Sequence, residues 1–248
     1  MSAPNPKPVH SLRWSSYAIS NTGRVRRHNE DSMLDRPEIG LWAVADGMGG
    51  HAKGDVASQM IVESLKKIHE GTSLARYIDD IEDSIISVNK RLVEKARESV
   101  KKVTIGSTVV ILLAYDKYCV YIWAGDSRLY RLRSNKLQQI TTDHSQVEQY
   151  VEQGLISRED ALKHPHGNMI TRAVGATDEL FLDMDMQEMV RGDRYMLCSD
   201  GLTKHLPDSD IETFLATGNL QECCTQLINT TLERGAVDNV TAIVIDVE

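Results

Sequence analysis

The stretch STVVILLA, residues 107–114, is apolar at successive positions from Val109 to Ala114. A strand with one wet face alternates apolar and polar residues, so an unbroken run means that both faces are covered. YCVYIWAG (118–125) and RLYRLR (128–133) follow almost at once, and Ser134-Asn135 reads as a turn. The stretch therefore sits among hairpin-connected neighbours. Such a strand, covered on both sides, implies a second sheet on one face and helices on the other. Upstream, Val56, Met60, Ile61, Leu65 and Ile68 recur at helical spacing behind Asp55, a candidate cap. A second helix, from about Ser73 to Ser99, carries Leu74, Ile78, Ile81, Ile85, Val88, Leu92 and Ala96 on one stripe. Residues 12–20 and 41–45 read as earlier strands. Downstream, residues 220–234 with Gly235 as C-cap predict a helix of the opposite layer, and VTAIVIDV (240–247) a last buried strand. The fold class is α+β, a helix–sheet–sheet–helix sandwich with mainly antiparallel sheets.

Between these blocks, about residues 141–180, the pattern changes. SQVEQYVEQG and SREDALKHP are short helical pieces joined by His, Pro and Gly. Inserted between strands, they read as a surface flap where substrate contacts collect. Residues 1–10, MSAPNPKPVH, contain three prolines and no apolar core of a secretory leader, and read as a disordered tail. Residues 11–248 are then expected to form a single domain. Of 248 residues, 41% are hydrophobic and 26% charged, so a core can form without disulfides or structural metal. The net charge of −8 argues against nonspecific binding to nucleic acid or an anionic membrane. Cys119, Cys198, Cys223 and Cys224 show no CxxC pairing. Reduced thiols and a cytoplasmic location are the expectation.

The acids fall at strand ends. LWAVADG ends at Asp46-Gly47, YIWAGDS at Asp126, and RYMLCSDG at Asp200-Gly201; Asp238 precedes the last strand, and Glu30 with Asp31 precedes another. Asp-Gly is a favoured turn pair, which accounts for any one of these. It accounts less well for all of them, because the segments form no obvious two-residue hairpins across the pair. Converged, these acids would form an oxygen-only cluster suited to Mg²⁺ or Mn²⁺. Without a cation they would raise one another's pKa values. Two ions about 3.5–4 Å apart can activate water for in-line attack at phosphorus. Arg26, four residues before Glu30, could grip phosphate oxygens, or stay a solvated arginine beside Arg24 and Arg27.

RRHNED, VADGMGGH, IGST, AGDSRLYRL, CSDGL and DNVT occur in that order over about residues 12–247. Together they resemble the metal-dependent serine/threonine protein phosphatases of type 2C, and DGMGGH resembles the compact bacterial branch. The resemblance implies a four-layer αββα sandwich with a dinuclear Mn²⁺ or Mg²⁺ site between the sheets. It implies that Asp46 bridges both ions, that Asp200 and Asp238 complete the first, and that Glu30 and the Gly47 carbonyl hold the second. Asp126 with Asp200 would bind a third, weaker ion. Asp31 would orient a metal-bound water, Arg26 would bind phosphate, and Asn239 would play a supporting part. The implied reaction is hydrolysis of phosphoserine and phosphothreonine on proteins by a bridging hydroxide attacking in line, without a phospho-enzyme. The implied partners are phosphoprotein substrates and a cognate serine/threonine kinase; the implied state is a monomer. Many eukaryotic members carry a histidine after the first Asp-Gly. Met48 stands there and cannot donate a proton, which leaves His51, or a metal-bound water, as the acid.

Other chemistries fit less well. Cys198 has Lys204, not Arg, at the spacing of a cysteine phosphatase. DGMGGHAKG lacks the GK[ST] of a P-loop. DMDMQE lacks the glycine of a Ca²⁺ loop and reads as a half-exposed strand. His144, His164 and His166 read as loop histidines. A catalytically silent relative that binds a phosphoprotein would show a lost ligand position, and none is lost. A two-metal nuclease would want a basic, aromatic-lined groove.

Overall fold

In the computed structural model, which describes residues 12–49, 53–99, 104–161, 164 and 169–248, both faces of the 107–114 stretch are covered. One sheet has the spatial order β1 (Trp14–Asn21), β11 (Val240–Val247), β10 (Arg194–Cys198), β7 (Arg128–Arg133), β8 (Lys136–Gln139). The other has the order β2 (Asp31–Arg36), β3 (Leu41–Met48), β5 (Val109–Tyr115), β6 (Tyr118–Ala124), β9 (Asp183–Glu188), with β4 (Gly106–Ser107) on the end of β3. All of these pairings are antiparallel. Val109, Ile111 and Leu113 of β5 face α1 (Gly54–Leu65) and α2 (Leu74–Glu98), packing with Ile61, Leu65, Ile81 and Ile85. Val110 and Leu112 face the opposite sheet, where Leu129, Leu197, Ile243 and Ile245 meet them. Beyond that sheet, α5 (Asp200–Thr203), α6 (Asp208–Leu215) and α7 (Leu220–Glu233) cover Met196, Val240 and Val244. The result is the helix–sheet–sheet–helix sandwich that the residue pattern requires.

Local chemistry sets several boundaries. Ser73 caps α2 by accepting the Arg76 N–H, and Asn219 with Glu222 closes a capping box on α7. Ser134 and Asn135 both take positive φ, which turns β7 into β8 without splaying the strands. The expected Asp55 cap is corrected. Helix α1 begins at Gly54 behind Lys53, and Asp55 lies in its first turn, accepting the Val56 N–H. Asp46 is likewise inside β3, which runs on to Met48, and is not its last residue. The flap holds α3 (Gln146–Glu152) and α4 (Arg158–Ala161), and β9 is half exposed as read. All four cysteines are buried and free. No helix among the described residues is long and apolar enough to cross a membrane. The expected tail, residues 1–10, lies outside the described residues.

Candidate metal centre at the seam between the sheets

Antiparallel pairing puts the start of β2 beside the end of β3, so Asp31 and Asp46 are direct cross-strand partners. The end of β10 and the start of β11 lie opposite them in the other sheet. Asp31 bridges the seam. Its Oδ2 accepts hydrogen bonds from Ser199 Oγ (2.8 Å) and Thr241 Oγ1 (2.7 Å). Asn239, 5% exposed, pins the loop between β1 and β2. Its amide donates to the Thr22 and His28 carbonyls (2.8 and 2.9 Å), and its Oδ1 accepts the Glu30 N–H (2.8 Å). Gly47 and Gly54 meet so closely that a Cβ on Gly47 would overlap the Gly54 carbonyl and stand 2.6 Å from that of Glu30. Only hydrogen fits there. That contact presents the Gly54 N–H to Glu30 Oε1 at 3.3 Å.

These elements bring Arg26, Glu30, Asp46, Gly47, Asp126, Asp200 and Asp238 to the wall of one pocket of about 560 Å³. Asp31 lies just behind it, 7% exposed. His51 lies outside the described residues. A larger cleft of about 740 Å³ at the α1–α2 connection, lined by Lys67, His69 and Arg76 among others, contains none of the strand-end acids. Size therefore does not select the site; chemistry does.

Charge in the pocket is unevenly balanced. Burial first, and then repulsion from Asp31, Asp200, Asp126 and Asp238, hold the Asp46 carboxyl well above the ordinary carboxylate range. Burial pushes Asp31 to about 7 against the hydroxyls of Thr241 and Ser199, which favour its charged form. Burial, with Asp200 and Asp143 nearby, also raises Asp126 to about 7. Arg26, with its side chain 49% exposed, grips Asp238 through Nε at 2.9 Å and through a terminal nitrogen at 3.0 Å. Lys204 reaches Asp200 at 2.6 Å and Asp238 at 3.2 Å. Burial alone would lower the lysine's pKa, but the two carboxylates hold its ammonium above the usual value.

The donor set suits a hard divalent cation. It consists of carboxylate and carbonyl oxygens. Asp31 Oδ1 and Asp200 Oδ1 are buried without a hydrogen-bond partner, an uncommon state for a carboxylate oxygen and one that a cation would relieve. No group of three or more His, Cys, Asp or Glu side chains among the described residues is arranged to hold an ion outright. Lys204 and Arg26 are interleaved with the acids at Asp200 and Asp238.

Acids delivered from both sheets to one seam, with an arginine at the mouth, are what a phosphoester hydrolase needs. Comparison with known proteins agrees. The protein phosphatase 2C profile matches residues 24–241. The chain belongs to the protein phosphatase 2C family. The serine/threonine phosphatase stp of Listeria monocytogenes is 34% identical over 235 residues, covering 92% of this chain and 93% of the relative. PppA, described as a key regulatory component of T6SS in Pseudomonas aeruginosa, shares the fold at a TM-score of 0.88 and 39% identity, over 95% of this chain and 98% of that one. The catalytic domain of PstP, solved in complex with 2 manganese ions, superposes at a TM-score of 0.85 and 34% identity, over 96% of this chain and 99% of that one.

Within this phosphatase fold several site residues escaped the sequence. Lys204 is one of them. Thr108 is another: its Oγ1 accepts the Asp46 N–H at 3.1 Å and is shared with Ser127 Oγ at 2.7 Å. His144 is not a plain loop histidine. Its ring stacks on Trp123, its Nδ1 accepts the Gly125 N–H, its Nε2 meets Asp183 Oδ2 at 3.1 Å, and its own N–H donates to the Gly125 carbonyl. Because Nδ1 accepts, the ring proton sits on Nε2. Burial, aided by the nearby Arg172 charge and opposed by Asp183, lowers the His144 pKa, which favours this neutral form. The clamp fixes the turn that carries Asp126. His164 packs edge-on against Tyr150, and His166 lies outside the described residues.

Proposed function

We propose that the chain is a metal-dependent phosphatase acting on phosphoserine and phosphothreonine in proteins. The observation that carries this is the meeting of Glu30, Asp46, Asp126, Asp200 and Asp238, from separate segments of both sheets, in a single pocket with Arg26. Asp46, Asp200 and Asp238 would hold one Mn²⁺ or Mg²⁺. Asp46, Glu30 and the Gly47 carbonyl would hold a second, and Asp126 with Asp200 a weaker third. When bound, such ions supply charge for the phosphoryl oxygens and activate the attacking water.

The chain's own groups position the reaction. Arg26, half exposed at the mouth, can exchange its two-pronged grip from Asp238 to two phosphate oxygens. Asp31 is fixed through Oδ2 by two hydroxyls, which keeps Oδ1 for orienting water at the seam. Thr108 and Asn239 hold the backbone at Asp46 and Glu30. His51 is the candidate proton donor to the leaving serine or threonine oxygen. Residues 11–248 act as one catalytic domain, monomeric and cytoplasmic, with a 141–180 flap meeting the phosphoprotein. Its substrates are proteins phosphorylated by a serine/threonine kinase.

The test is hydrolysis of a phosphothreonine peptide by the purified chain in Mn²⁺, in Mg²⁺ and in excess chelator. Phosphate release with either ion and none in chelator is expected. Equal release in chelator overturns the metal-dependent reading. For His51, His51→Gln should lower kcat more on an alkyl phosphate than on an aryl phosphate, whose leaving group departs unprotonated. Equal loss on both removes the histidine from the reaction.

A further inference from the structure

Lys204 follows Asp200 by one helical turn, which puts both side chains on one face. The ammonium is within hydrogen-bond distance of Asp200 Oδ2 and Asp238 Oδ2, at 2.6 and 3.2 Å. The lysine side chain is only 25% exposed. It also borders two cavities, the acid pocket and an adjoining one of about 210 Å³ flanked by α3 and α4. Asp126 and Asp200 border both as well. That second cavity also holds Arg128 and Arg158, each already paired, with Asp143 and Glu148, so an ammonium that leaves Asp238 can still stand beside Asp126 and Asp200.

The carboxylates it holds are those assigned above to an ion; on Asp200 it takes Oδ2 and leaves Oδ1 without a partner. A carboxylate oxygen can serve a lysine or a divalent ion at full strength but not both, because the two positive charges repel at such range. We propose that Lys204 is a built-in competitor for the cation. It balances Asp200 and Asp238, yields their oxygens when an ion binds, swings toward the α3–α4 cavity, and thereby sets the ion affinity of that half of the site. This rests on the reading that Asp200 and Asp238 are ion ligands. Arg26 shares Asp238 but comes from the β1–β2 loop and is half exposed; among the described residues, Lys204 alone pairs with both acids.

The experiment is calorimetric titration of MnCl₂ into the metal-stripped full chain, for wild type, Lys204→Met, Lys204→Arg and Asp238→Asn, with melting curves of each in chelator and in saturating Mn²⁺. Lys204→Met is expected to bind one ion more tightly by on the order of tenfold, the effect of one partly screened charge beside an ion. It should melt below wild type in chelator, where two acids lose their partner, and level with wild type in Mn²⁺. Lys204→Arg should stay near wild type in both. Should the Met variant not fold, Lys204→Gln serves the same comparison. An unchanged Kd with melting lowered equally in both conditions makes the lysine a plain structural contact and overturns the proposal. An unchanged Kd with a raised KM for phosphopeptide makes it a substrate contact and overturns it too. If wild type binds Mn²⁺ and Asp238→Asn loses an ion, the ligand reading stands whatever Lys204→Met does. If wild type binds none, that reading fails and the proposal falls with it.

Discussion

Asn239→Ala should unseat the catalytic loop while leaving every proposed ion ligand in the chain. The side chain makes three hydrogen bonds of 2.8–2.9 Å to Thr22, His28 and Glu30, and is 5% exposed. At about 0.5–1.5 kcal/mol net for each bond, their loss costs about 2–4 kcal/mol. Rehydration of the freed carbonyls favours the lower half of that range, since residues 24–28 already face solvent. In a chain of this size, about 2 kcal/mol lowers Tm by about 4–8 °C. The effect on turnover should be larger. Glu30 and Arg26 ride on the pinned loop, and a displacement near 1 Å can cost about 100-fold. Asn239→Asp keeps the acceptor for the Glu30 N–H but loses both amide donors and sets a carboxylate against two carbonyls, so it should be at least as damaging. The assay is thermal unfolding by circular dichroism in chelator, beside kcat/KM on a phosphopeptide in Mn²⁺. If both variants melt within about 1 °C of wild type and keep kcat/KM within about threefold, the pin holds nothing and the reasoning fails.

Asp46→Asn should abolish Mn²⁺-dependent turnover yet melt at or above wild type in chelator at pH 8, because it removes a buried, repelled charge; a lower melting point there would contradict the electrostatic account. Asp126 titrates near 7 in the folded chain against an ordinary value of 3.8, so its contribution is complete below about pH 4 and lost as pH rises through about 7. In chelator, the Tm difference between wild type and Asp126→Asn should therefore move against wild type between pH 5.5 and 8.5, and a flat difference would count against that shift. Gly47→Ala should cost about 1–3 kcal/mol or more by forcing β3 away from Gly54, read as a fall in Tm and in Mn²⁺ affinity together; a neutral substitution would mean that the contact relaxes freely. His144→Phe keeps the stack on Trp123 but strands the Gly125 N–H, so stability should fall by the cost of an unmade bond, about 1–3 kcal/mol, read as a lower Tm, and His144→Gln should recover part of it.

The double-faced burial of β5 was legible because burial on both sides leaves no polar alternation to hide it. The strand-end acids were legible for a related reason, since an ionised group after an apolar run is conspicuous. What escaped depends on neighbours distant along the chain. Lys204 caps the C-terminus of a four-residue helix, α5, too short to show a period. The bonds of Asn239 to Thr22 and His28 span more than 200 positions. His144 is defined by Trp123, Gly125 and Asp183, none of them adjacent to it in sequence. Asp55 looked like a cap because acids favour that place, but the helix starts two residues earlier, behind Lys53, where Gly54 packs against Gly47.

The hydroxyls of Ser199 and Thr241 reach across the sandwich to one carboxylate oxygen of Asp31. Two slabs, each able to drift on greasy side chains, are thereby locked in alignment at the very place where ions are to be caught. A slip of one slab by a fraction of a bond length would leave most of the interior intact and still spoil the trap. Ion capture in this protein should then behave like a vernier, sensing misalignment long before the interior melts, and substitutions far from the pocket that shift one slab should surface first as weakened manganese uptake.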